Sequence, residues 1–174
     1  MFGINLGLYF DTYILIGMVL AFLMNCFFHF LTSYSDDKSL LLTSALMALS
    51  YFTSNHFFPL ESSEWLYFYF ITYDLVTIAA TVLIHRILRY ELGVTAKYVI
   101  VGMAANASLS LLIHIDLRVY DNQDPWWFWS FYTIAINTID VLMVAALITG
   151  RDYLRVGKLW NYIWCSKPNS IKDQ

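Results

Sequence analysis

Residues 65–89 read WLYFYFITYDLVTIAATVLIHRILR. From Trp65 to Ile84 the stretch holds no lysine, arginine, glutamate, glycine or proline, and a single acid, Asp74. About 20 mostly apolar residues cross the hydrocarbon core of a bilayer as one α-helix. Rings crowd the start of this stretch, and Arg86 and Arg89 close it. Aromatic residues at one interface and bases beyond the other are the marks of a membrane-crossing helix.

Working outward, four further stretches have the same character, at about 13–31, 39–60, 98–115 and 126–149. The first has no basic segment before it and no small-x-small cleavage site after it, so it reads as a retained helix and not as a signal peptide. The expected fold is therefore an all-α integral membrane bundle of five transmembrane helices, forming one polytopic domain over 1–174. Asp152 to Trp164 mixes Leu154, Leu159, Trp160, Ile163 and Trp164 with Arg155 and Lys158. It is too short and polar to span, and reads as a C-terminal helix lying in the interface. Residues 166–174 read as a tail, and Met1 to Leu8 as a segment at the outer interface.

Composition agrees. Of 174 residues, 59% are hydrophobic and only 13% charged, with a mean hydropathy of +0.58. A soluble domain carries about 25% charged residues. The chain has too few charges for an aqueous shell, which excludes an ordinary cytosolic enzyme and a disordered tail. A net charge of −3 leaves no basic footprint for nucleic acid. Cys26 and Cys165 form no CxxC or Cys/His metal spacing and read as ordinary thiols. No G-x-S-x-G, H-E-x-x-H, P-loop or G-x-G-x-x-G occurs, so no enzyme is expected. Asn106-Ala-Ser108 has the form of a glycosylation sequon but falls inside a span.

Charge sets the expected orientation. Arg86, Arg89 and Lys97 follow the third span, and Arg151, Arg155, Lys158, Lys167 and Lys172 follow the fifth. Glu61 and Glu64 follow the second, and Asp116, Asp121 and Asp124 oppose Arg118 after the fourth. Positive charge collects on the cytoplasmic side, so the N-terminus is expected outside and the C-terminus inside, in a plasma or inner membrane. The short first loop, with Asp36, Asp37 and Lys38, is neutral in this argument. Trp65, Tyr67, Phe68 and Tyr69, with Trp126, Trp127, Phe128 and Trp129, then sit at the outer interface, and Trp160, Tyr162 and Trp164 at the inner one. The 18% aromatic content reads as an anchoring belt rather than a ligand cage.

The third and fifth spans resemble each other. Thr72 and Asp74 match Thr138 and Asp140, Ala79-Ala80 matches Ala145-Ala146, and Leu88-Arg89 matches Leu154-Arg155. Lys38 and His56 frame the second span as Lys97 and His114 frame the fourth, each followed by an acidic loop with Pro59 or Pro125. This is the pattern of a tandem helical-hairpin repeat, with both copies in one orientation.

Two of the few charges lie inside spans. An ionised Asp near the bilayer centre costs about 2.5–3.5 kcal/mol on insertion scales, so Asp74 and Asp140 call for a partner or a purpose. Helical spacing puts Asp74, Thr77, Thr81 and His85 on one face, Thr133, Asn137 and Asp140 on another, and Asn106, Ser110 and His114 on a third. Asn25 and His29 share a face of the first span. These stripes suggest one polar track with two carboxylates at its waist. The first expectation is a proton or small-cation channel or coupled transporter, using Asp74, Asp140, Asn137, Thr77, Thr81 and Asn106. Central helices lacking glycine or proline, apart from Gly102, favour a channel, scaffold or sensor over a carrier. A second expectation is a non-catalytic subunit, scaffold or sensor, in which Thr, Ser and Asn tie helices together. A third is a haem b electron carrier, with His29 and His85 near one face and His56 and His114 near the other. Otherwise no cofactor or metal is expected. The expected partners are the lipid bilayer and a second copy or another membrane protein, since five short helices make a small bundle.

Overall fold

The computed structural model describes residues 2–31, 38–57, 65–122, 124, 126–151 and 160, with the helical backbone alone at 2–9 and 55–57. Five α-helices follow in order: α1 (Phe2–Leu31), α2 (Lys38–Phe57), α3 (Leu66–Ile87), α4 (Val94–His114) and α5 (Trp127–Thr149). A π-helical turn, Ile115–Val119, extends α4. No strand occurs among the described residues. The first loop with Asp36 and Asp37, the acids Glu61 and Glu64, both loop prolines and Cys165 lie outside the described residues. So do the expected interfacial helix, apart from Trp160, and the tail.

Four helices are long and apolar enough to cross a membrane: α1 from Phe10, α3, α4 with its π turn, and α5. This fits a multi-pass membrane protein. The fifth, α2, is more polar and is not among these four. Ser39, Thr43, Ser44, Ser50, Thr53 and Ser54 all fall on it. Its position explains how the bundle tolerates that. Consecutive helices pack side by side, α5 closes back on α1, and α2 packs against all four of the others. Its hydroxyls are satisfied within the helix, as Thr43 bonds the Ser39 carbonyl at 2.7 Å and Ser44 that of Leu41 at 2.9 Å, or on α3, as Ser50 bonds Thr77 Oγ1 at 2.6 Å.

Two boundaries differ from the sequence expectation. Helix α1 runs from Phe2 without a break, its apolar span begins at Phe10 rather than at about residue 13, and Asp11 falls within the helix. The expected fourth span, 98–115, grows at both ends to Val94–Val119. Lys97 then lies in its first turn and Asp116 in its π turn.

The bundle buries polar as well as apolar side chains and is apolar outside. Thr43, Ser44, Thr81, His85 and Ser110 are buried, while Leu20, Phe27, Leu83, Leu112 and Ile134 are exposed. The apolar exterior is unlike that of a soluble fold and suits lipid as solvent. One half of the bundle is densely filled. Met18, Ala21, Met47, Met143, Ala146 and Leu147 are fully buried there, with Val99 and Tyr98 beside them. Gly102 allows α4 close to α5, since a Cβ there would stand 2.6 Å from Met143 Sδ. Gly17 does the same for α1, a Cβ falling 3.0 Å from Val144 Cγ1. Small residues permit such approaches between membrane helices.

The turn between α3 and α4 lies at this filled end. Tyr90 N–H donates to the His85 carbonyl at 2.9 Å and Arg89 N–H to that of Arg86 at 3.2 Å. Arg89 adopts a left-handed φ of 55°. These are the two bonds of a Schellman ending, with arginine where glycine is usual.

Candidate functional site

The opposite half of the bundle encloses a cavity of about 320 Å³. Every helix contributes to it. The N-terminal halves of α1 and α3 supply Asp11 and Asp74, α5 supplies Tyr132 and Asn137 from its N-terminal half and Asp140 from just past its middle, and the C-terminal halves of α2 and α4 supply Tyr51 and Asn106. That mixture is what an up-and-down bundle produces at one of its ends. Ile14 and Met103 belong both to the cavity wall and to the dense core, so they form its floor. The cavity is therefore one-sided.

Three carboxylates face this space, and no lysine, arginine or histidine stands among the described residues that line it. Asp74 lies within electrostatic reach of Asp140, and Asp140 within reach of Asp11. The acids are held differently. Asp140 is buried, and its Oδ1 accepts a 2.7 Å bond from the Tyr51 hydroxyl and another of 2.7 Å from Asn106 Nδ2. Asp74 is half-buried and accepts no hydrogen bond from any described residue. Asp11 is exposed at the wall.

The amides leave acceptors over. Asn106 is 4% exposed, its Nδ2 is spent on Asp140, and its Oδ1 has no partner among the described residues. Asn137 repeats the pattern, with Nδ2 on the Thr133 carbonyl at 2.7 Å and a buried Oδ1 without a partner. Tyr67, Phe70, Tyr73 and Tyr132 add rings to the wall. Tyr67 meets Tyr132 edge to face at 5.9 Å.

Of the six pathway residues read from the sequence, Asp74, Asp140, Asn137 and Asn106 come together here. Thr77 and Thr81 do not. The Ser50 hydroxyl bonds Thr77 Oγ1 at 2.6 Å, and Thr77 donates to the Tyr73 carbonyl at 2.8 Å. Thr81 donates to the Thr77 carbonyl at 2.8 Å. Each threonine thus spends its proton on its own helix, and the stripe is a set of internal ties. At its end, His85 Nδ1 lies 2.7 Å from the Thr81 carbonyl, which can only accept. In neutral His85 the proton is then on Nδ1, and Nε2 accepts from Ser39 Oγ at 2.9 Å. Ser39 Oγ in turn accepts the Gly93 N–H at 3.0 Å. Both ring nitrogens of His85 are engaged, so an iron ligand role would require breaking this junction. The His56 side chain lies outside the described residues. No group of three or more His, Cys, Asp or Glu suited to a metal ion occurs among the described residues. Asn25 is likewise a tie, its Nδ2 donating to the Leu147 carbonyl at 3.1 Å.

The aromatics near the starts of α3 and α5 divide. Trp65, Phe68, Trp127 and Phe131 are exposed, as a belt requires, whereas Tyr67 and Tyr132 turn inward to the cavity. Asp116 organises the tryptophans, its Oδ2 accepting Nε1–H of Trp126 and of Trp129, each at 2.9 Å.

Asp11, Tyr51 and Tyr132 are site residues that the sequence reading passed over. Asp11 was hidden by placing the first span too late. The unbroken apolar text before it was the available signal. The chain matches no family model, no curated protein and no solved structure in comparisons with known proteins.

Proposed function

We propose that this is a multi-pass membrane protein that admits a cation from one side of the membrane into the acidic cavity and holds it at Asp74 and Asp140. The observation that carries the reading is the set of three carboxylates from α1, α3 and α5 around one cavity, with no base among the described lining residues. Uncompensated acids at this depth are costly, and a bound cation or proton offsets that cost. The two central acids divide the work. Asp140, fixed by Tyr51 and Asn106, is the anchored charge, and Asp74 is the ligand free to follow the cation. The packed floor favours a coupled, gated protein over an open pore. Lys38, Arg86, Arg89, Lys97 and Arg151 lie at the helix ends away from the cavity, which supports a cavity that opens outward and a cytoplasmic C-terminus.

The test is electrical. Proteoliposomes on a solid-supported membrane are challenged with protons and with alkali and organic cations, comparing wild type with Asp74→Asn, Asp140→Asn and the double variant. A cation-dependent current that the double variant loses is the expected result. A current unchanged in the double variant overturns the assignment.

A further inference from the structure

The cavity's walls say more about its ligand than its charge does. We infer that the cavity takes a small organic ammonium ion carrying N–H groups, a primary or secondary amine in its protonated form, rather than a bare metal ion. This rests on the cation reading above and narrows it.

Size is the first reason. A cavity of about 320 Å³ lies at the low end of the range for small-molecule sites, whereas an alkali ion would leave most of it unfilled. Coordination is the second. Hard cations gather several oxygens at 2.0–2.6 Å on one point, and among the described residues no such cluster of acids exists. The carboxylates are spread along separate walls.

The third reason is the hydrogen-bond inventory. Two buried lining atoms without a partner among the described residues are acceptors: Asn106 Oδ1 and Asn137 Oδ1. Asp74 also lacks a donor, and Asp140 has both of its bonds on Oδ1. Nearby hydroxyls have spent their protons on backbone carbonyls, Ser54 on Tyr51 at 3.1 Å and Thr133 on Trp129 at 3.0 Å. Apart from its tyrosine hydroxyls, such a wall presents acceptors, and an alkylammonium supplies two or three N–H groups with the charge the acids require. A quaternary ammonium supplies the charge without them. The fourth reason is the lining around these acceptors. Tyr67, Phe70 and Tyr132 bring aromatic rings to the wall, a surrounding that suits an organic cation, and Ile14, Met103 and Ile136 offer apolar surface to a short alkyl chain. A bare metal ion would make no use of either.

The experiment measures ligand binding to the full-length protein in lipid nanodiscs, by calorimetry and by the shift in unfolding temperature. The probes are propylammonium, tetramethylammonium, sodium and the neutral propanol, at equal ionic strength. Propylammonium is expected to bind and stabilise, tetramethylammonium more weakly, and sodium and propanol without effect. Asp74→Asn and Asn106→Leu should each weaken propylammonium about tenfold or more, the loss expected from removing one charge-assisted or buried hydrogen bond. Asn106→Leu also strips a donor from Asp140, so Asp74→Asn, whose carboxylate has no such bond, decides the matter if the first variant does not fold. Binding of sodium or protons that depends on Asp74, without propylammonium binding, would overturn the ligand class and leave the cation reading standing. Binding of neither kind of cation would overturn both. Propylammonium binding that neither variant alters would place the ligand elsewhere and overturn the inference.

Discussion

Tyr51 and Asp140, far apart in the chain, meet in a 2.7 Å hydrogen bond at the waist of the bundle, the phenol donating to Oδ1. The bond fastens α2 to α5, a pair that otherwise touches little. Tyr51→Phe and Asp140→Asn should each lower stability, and the double variant should lose less than the sum. Interhelical hydrogen bonds in membrane proteins couple by about 0.6 kcal/mol on average and up to about 1.7. A double-mutant cycle on unfolding in mixed micelles should return a coupling of about 1 kcal/mol. Strict additivity would mean the bond is not made.

Gly102 faces the fully buried Met143. Gly102→Val should overpack the α4–α5 contact and cost about 1–3 kcal/mol. Adding Met143→Ala to that variant should recover part of the loss by opening the space the valine needs. Thermal unfolding of the two variants in detergent is the check, and a Gly102→Val protein as stable as wild type would contradict the close approach.

Ser39→Ala removes the hydroxyl that accepts the Gly93 N–H and donates to His85. Two buried polar groups lose a partner, each worth about 1–3 kcal/mol when left unsatisfied. Hydrogen exchange should accelerate at the Gly93 amide, with little change at the Gly150 amide, which bonds the Ala146 carbonyl instead.

The one-sided cavity predicts an asymmetric labelling pattern. In a background without Cys26 and Cys165, Asn137→Cys should react with a water-soluble thiol reagent added outside intact cells. Thr81→Cys, fully buried among the packed helices, should not react from either side. Labelling of both positions from one face would mean that the filled half is open.

Much of the architecture was readable because it depends on one quantity, the run of apolar residues. The third and fifth spans are nearly the helices α3 and α5, since rings at the start and bases or Gly150 at the end punctuate them clearly. Helix α1 starts well before the expected span at about residue 13, and Asp11 sits within it where it meets a polar cavity. Helix α2 was expected to span like the others but is more polar; most of its serines and threonines bond its own backbone carbonyls, while Ser39 and Ser50 reach partners on α3 that the sequence does not announce. The site was half legible. Asp74, Asp140, Asn106 and Asn137 stood out as polar residues in apolar text, but Tyr51 and Tyr132 did not, since a tyrosine among many aromatics carries no mark of which way it faces. Thr77 and Thr81 shared the spacing of Asp74 and yet belong to the packing, because periodicity gives the face of a helix and not the partner of each hydroxyl.

The floor at Ile14 and Met103 has an electrical meaning. With the bundle set across a bilayer, a cavity that water can enter stays near the potential of the solution it opens to. The voltage then falls mainly across the packed half, between Met103 and the His85 junction, a thinner insulator than the whole membrane. An ion that reaches Asp74 or Asp140 feels little of the field. A charge that goes further crosses nearly all of it, at about 2.3 kcal/mol per elementary charge for each 100 mV. Binding in the cavity should therefore be almost indifferent to membrane voltage, and any step beyond it strongly driven.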